Sequence, residues 1–129
     1  GWVGYYWAPT ALLGKYEMVK LEHGVPYDEA EWKRCNTVAD CPDPKKNDWP
    51  KDKVQTLVTK KFSERAGEDV MGYLNKRAWT NDTVNKLMAW MTDNQASGDD
   101  GAKHFLEENE AMWKEWVSPE AAEKIKAAL

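Results

Sequence analysis

The sequence predicts an α/β class, or α+β, in which a small and incomplete sheet precedes about four helices. Three observations support it. Residues 2–7 and 53–59 are β-branched and aromatic, the composition of strands. After residue 60 the apolar residues recur at helical spacing. No repeat or low-complexity linker interrupts the 129 residues, so one core is the default.

Taken in order, residues 2–7 read as a buried strand that Pro9 ends. Residues 10–16 read as a short helix, since Ala11, Leu12, Leu13 and Lys15 favour helix and Pro9 suits a first turn. A brief strand is expected at 18–21 and a helical turn at 26–34 with Trp32 on its apolar side. Residues 36–52 form a loop punctuated by Pro42, Pro44 and Pro50. At 53–59, Val54, Thr56 and Val58 would share one strand face. The first later helix, residues 63–78, carries Ala66, Val70, Tyr73, Leu74 and Arg77 along one stripe. Thr80 or Asn81 caps the next, whose Val84, Leu87, Met88 and Met91 form an amphipathic face. Ser97 and Asp100 make a capping-box pair for a third helix bearing Ala102, Phe105, Leu106, Met112, Trp113 and Trp116. Ser118 and Pro119 start the last, with Ala122, Ile125 and Leu129 inward. Two strands some forty residues apart, with Gly1 directly before Trp2, lead to the expectation of a fragment or processed chain whose partner strands lie upstream. Such a fragment could complete its sheet by self-association.

The 18 basic and 22 acidic residues are mixed along the chain and give a net charge of −4. No positive field is available to hold a phosphate backbone, so nucleic acid is not an expected partner. No apolar run approaches the roughly 18 to 20 residues that span a bilayer, and no signal-peptide pattern is present.

Cys35 and Cys41 lie six positions apart in a polar, proline-rich stretch. With His23 the sole histidine near them, a closed zinc site lacks ligands, and the spacing is not C-x-x-C. A disulfide is the better reading, two free thiols the alternative. A bridge would place the chain in an oxidising compartment.

Enzymatic chemistry finds little support. There is no glycine-rich phosphate loop, no G-x-S-x-G and no H-E-x-x-H, and His23 and His104 stand in unlike contexts. His104 reads as a solvated or edge histidine, and Glu107, Glu108 and Glu110 as a solvated helix face. Asp99 and Asp100 are accounted for by the positive end of a helix dipole. No catalytic residue, metal site or cofactor is expected.

One cluster has functional potential: Trp2, Tyr5, Tyr6 and Trp7. Aromatic rings around a cation attract it through their quadrupoles, by about 0.5 to 2 kcal/mol per contact, and quaternary ammonium suits such rings because it donates no hydrogen bond. The alternative is packing within a core strand. That reading also covers Trp113 and Trp116, by helical spacing, and Trp32, Trp49, Trp79 and Trp90.

The stretch Trp7-Ala-Pro-Thr-Ala-Leu-Leu-Gly-Lys-Tyr-Glu-Met-Val-Lys-Leu-Glu22 resembles the betaine, choline and proline-betaine substrate-binding proteins of ABC importers. There a strand ending in Trp-x-Pro is followed by a short helix, a Lys-Tyr-Asp/Glu element and a further strand. The similarity extends through the cysteine-containing loop, Lys61-Phe-Ser-Glu-Arg-Ala66, the helix at 70–74, Phe105-Leu-x-x-Asn109 and Trp113-x-x-Trp-Val117. These features are similar to the C-terminal part of such proteins, with residues 1–60 as the strand and loop part holding the ligand motif and 61–129 as the helical part.

The resemblance implies a two-lobed periplasmic-binding-protein-like fold that closes on its ligand, an extracytoplasmic location, an ABC permease as partner, and no chemistry on the ligand. It implies Trp7 as one wall of an aromatic box around a trimethylammonium group. Tyr5, Tyr6 and Trp2 are further candidates that the motif does not fix. Thr10 stands where many betaine binders carry His, which leaves betaine and choline as alternatives. The other functional reading is a non-transport sensing or interaction module derived from the same fold.

Overall fold

The computed structural model describes residue 1 and residues 3–129, so Trp2 lies outside the described residues. The chain divides into two compact units, one formed by Gly1–Met18 with Thr56–Leu129 and the other by Val19–Gln55.

The predicted sheet is absent, and with it the α/β class. Among the described residues no strand forms at 3–7, 18–21 or 53–59, and the regular structure is helical throughout. β-propensity measures how a side chain fits a paired, half-covered surface, so an apolar β-branched run becomes a strand only where a neighbour completes its ladder. Here Val54 and Leu57 stand fully or almost fully in solvent. The segment is held instead through Thr56, whose Oγ1 accepts from Arg77 Nη2 at 2.8 Å. Arg77 also lies over the Tyr73 ring, 5.6 Å from its centroid.

In the larger unit, α1 (Ala11–Lys15), α3 (Lys60–Arg65), α4 (Gly67–Lys76), α5 (Asn81–Asn94), α6 (Gly98–Glu108), α7 (Glu110–Lys114) and α8 (Pro119–Ala128) follow one another. Their starts obey the polar signals in the sequence. Thr10, Thr59, Thr80, Ser97 and Ser118 each accept a first-turn amide, and Ser97 with Asp100 completes the expected capping box. Two predicted helices are each split. The one expected at 63–78 begins earlier, at Lys60, and breaks at Gly67, whose φ of +76° suits only glycine at low cost. The third breaks at Asn109, where Phe105 O accepts both the Asn109 amide and its Nδ2.

That second break lies beside the core. Phe105, Trp113, Trp116 and Ala122 are buried together, with Tyr73, Leu87, Leu106, Met112, Val117 and Ile125 packed against them. Trp113 is 2% exposed, and its Nε1 donates to Leu106 O at 2.7 Å, satisfying a carbonyl of the last turn of α6. Trp79 tilts against Phe105 and Trp116, with centroids 4.4 and 5.5 Å away. Val70, Met88, Ala102 and Leu129, expected to face inward, are exposed, as are Trp49 and Trp79 in good part. Glu110 is not merely solvated, since it joins Lys114 of α7 to Lys126 of α8.

The smaller unit has almost no apolar core. Helix α2 (Glu29–Glu31) passes into a π-helical turn, Trp32–Asn36. A Cys35–Cys41 disulfide closes the loop that follows. Glu31, nearly buried, receives Arg34 Nε and Nη2, both at 2.8 Å, and the Lys45 amide at 3.0 Å. Arg34 Nη2 also donates to Asp43 O at 2.9 Å. The Arg34 guanidinium, then the Lys45 amide, holds the Glu31 carboxyl below its ordinary range. Asn47 and Asp28 exchange two hydrogen bonds, and Trp32 meets the edges of Tyr27 and Trp49.

Candidate functional site

The aromatic candidates sit on the irregular segment leading into α1. Trp7 is 64% exposed, and Tyr5 and Tyr6 are similarly open. Tyr5 and Trp7, two residues apart, meet edge to face with centroids 6.2 Å apart and planes 80° to one another. Trp2 lies outside the described residues. The arrangement is an open ledge of two orthogonal rings, able to offer a cation a π-face, the ring edges being the positive end of the quadrupole.

Thr10 has a different environment. It is buried, its Oγ1 accepts the Leu12 amide at 3.3 Å as the cap of α1, and its own amide donates to Asn85 Oδ1 at 2.6 Å. Farther along α1, a β-carbon on Gly14 would fall 2.0 Å from the Asn85 carbonyl oxygen and 3.0 Å from the Ala89 Cβ. At the end of the helix Lys15 pairs with Asp93, which raises the lysine's pKa by hydrogen bond first and charge second. Asn85, Ala89 and Asp93 recur every four residues, hence on one face of α5.

Helix α5 thus serves two neighbours. The 85/89/93 face receives α1, while Leu87 reaches the aromatic core and Met91 crowds Gly101 of α6. Leu87 and Met91 of the apolar stripe read from the sequence lie on the second of these faces, Met88 being exposed, and the first was missed because two of its three residues are polar. A signal did exist: a glycine within the helix-forming run of residues 11–15 marks close approach of another backbone.

His104 stacks on Trp90 at 3.8 Å with planes 7° apart, the edge position expected of it. Beside it a cleft of about 340 Å³ is lined by Asp82, Thr83, Lys86, Leu87, Glu108 and Asn109, with Asp82 and Lys86 already paired. Among the described residues, no group of three or more His, Cys, Asp or Glu is placed to hold a metal ion. No helix among them is long and apolar enough to cross a membrane.

Residues 1–108 match the family model described as the substrate binding domain of the ABC-type glycine betaine transport system. The chain belongs to that family. Searches of curated proteins and of solved structures return no significant match. The family defines a solute-binding rather than a catalytic role, in ABC transport of glycine betaine-type solutes on the extracytoplasmic side of a permease.

Proposed function

We propose that the chain is the C-terminal portion of an extracytoplasmic receptor that binds a quaternary-ammonium osmolyte, glycine betaine or choline, and delivers it to its permease. Trp7 contributes one aromatic wall to the trimethylammonium group, and Tyr5 meets that wall edge to face. Tyr6, Thr10 and Trp2 are flanking candidates. The observation that carries the reading is the exposed, orthogonal Tyr5 and Trp7 pair, standing directly before the Pro9 and Thr10 turn in a chain of this family. An apolar ring pair left in solvent costs free energy, and a soft cation without hydrogen-bond donors is the ligand that such a surface serves best.

Trp7→Ala in the full-length protein tests it by calorimetry with glycine betaine and choline side by side. Loss of one cation–π wall, at about 1.4 kcal/mol or more, weakens binding by roughly tenfold or more. Unchanged affinity for both ligands would remove Trp7 from the site. Because Trp7 is exposed, its replacement leaves the melting temperature nearly unchanged.

A further inference from the structure

The ledge is placed by a residue that no ligand needs to touch. We propose that Asn85, on α5, is the positioning residue of the Trp7 turn, an inference that rests on the reading of Trp7 as a ligand wall. Trp7 itself lies on an irregular, exposed segment, and a ring so placed cannot hold a fixed direction by its own packing. Three residues on, however, the chain is fixed by the hydrogen bond from the Thr10 amide to Asn85 Oδ1, at 2.6 Å with Thr10 buried.

The contact is reinforced by the close approach of α1 to α5 at Gly14, where no side chain separates the two backbones. It is reinforced again by the Lys15 and Asp93 pair. Together the three contacts occupy successive turns of one face of α5, which fixes both the height and the rotation of α1. Helix α5 in turn is tied to the aromatic core through Leu87. The chain of support runs from core to α5, from Asn85 to Thr10, and from there to the ring. A site whose supporting groups are loose by about 1 Å loses much of its binding, which is why the supporting residue governs affinity.

The test compares Asn85→Leu, which keeps the branched shape and removes the acceptor, with Asn85→Asp, which keeps an acceptor oxygen for the Thr10 amide. Three signals are followed in the full-length protein: hydrogen exchange at the Thr10 amide, the ¹⁹F resonance of 5-fluorotryptophan at position 7, and calorimetric affinity for glycine betaine and choline. In the wild type the Thr10 amide exchanges more slowly than those of Tyr6 and Trp7. Asn85→Leu abolishes that protection, shifts and broadens the Trp7 resonance, and weakens binding by about fivefold or more. Asn85→Asp restores the protection and the resonance, which a merely stabilising role for Asn85 does not require.

An unprotected Thr10 amide in the wild type overturns the proposal even if the leucine variant fails to fold. So does equal behaviour of the leucine and aspartate variants. If the wild type binds neither ligand, the reading of Trp7 falls by itself, while the exchange and fluorine signals still decide whether Asn85 places the turn.

Discussion

The two units of this chain reach order by opposite routes. Residues 56–129 bury an aromatic cluster beneath helices with polar caps, so their stability comes from area removed from water. Residues 19–55 have no comparable cluster and rely on a disulfide, a charged pair closed over a loop, and side-chain to backbone hydrogen bonds. In the first, many small contacts share the load, and polar groups cap the helices and join some of them to one another. In the second, a few strong contacts carry it.

The largest effect is expected where the first route is concentrated. Trp113→Ala removes a fully buried indole and the donor to Leu106 O, and should cost about 3 to 5 kcal/mol, read by chemical denaturation. A loss below 1 kcal/mol would mean that the cluster is not the main source of stability there.

Opening the disulfide is the counterpart in the smaller unit. Cys35→Ala with Cys41→Ala should cost about 2 kcal/mol on the loop-entropy model, with faster amide exchange confined to residues 19–55. Because Arg34 also grips Glu31 and Asp43 O, the loop should loosen rather than unfold. Faster exchange spread into α6 or α7 would erase the distinction between the two routes.

The smallest effect sharpens the comparison from the other side, since the larger unit also contains charged clasps, that of Glu110 among them. Lys114, then Lys126, holds the Glu110 carboxyl down to about 2 from its ordinary 4.5. A carboxyl with a lowered folded pKa adds stability that is present above pH 4.5 and is lost as the pH falls toward 2. Glu110→Gln should therefore lower stability above pH 4.5 by a small, salt-sensitive increment and lose that difference as the pH falls toward 2, flattening the profile over that window. An identical acid profile in the variant would show that the clasp is inert.

The helical half was the legible half. Caps at Thr80, Ser97 and Ser118 and the core positions Phe105, Trp113 and Trp116 follow from local chemistry and a 3.6-residue period, and both act within a few turns of chain. The strands were misread because residues 53–59 have strand composition without a ladder, and pairing is not a local property. The split at Gly67 was written in the sequence as a single glycine, yet only its positive φ distinguishes a break from a tolerated residue. At the candidate site the rings are visible in the sequence but their exposure is not, since residues 2–7 read as a buried strand, and Asn85 is 75 positions from its partner.

Thr10 supplies its tether through the peptide N–H, a group shared by every amino acid but proline. Side-chain identity at this position is thereby uncoupled from the placement of the turn, apart from the hydroxyl's modest part as a cap. Replacement of residue 10 by anything but proline would therefore change the side chain at this position and leave the tether in place.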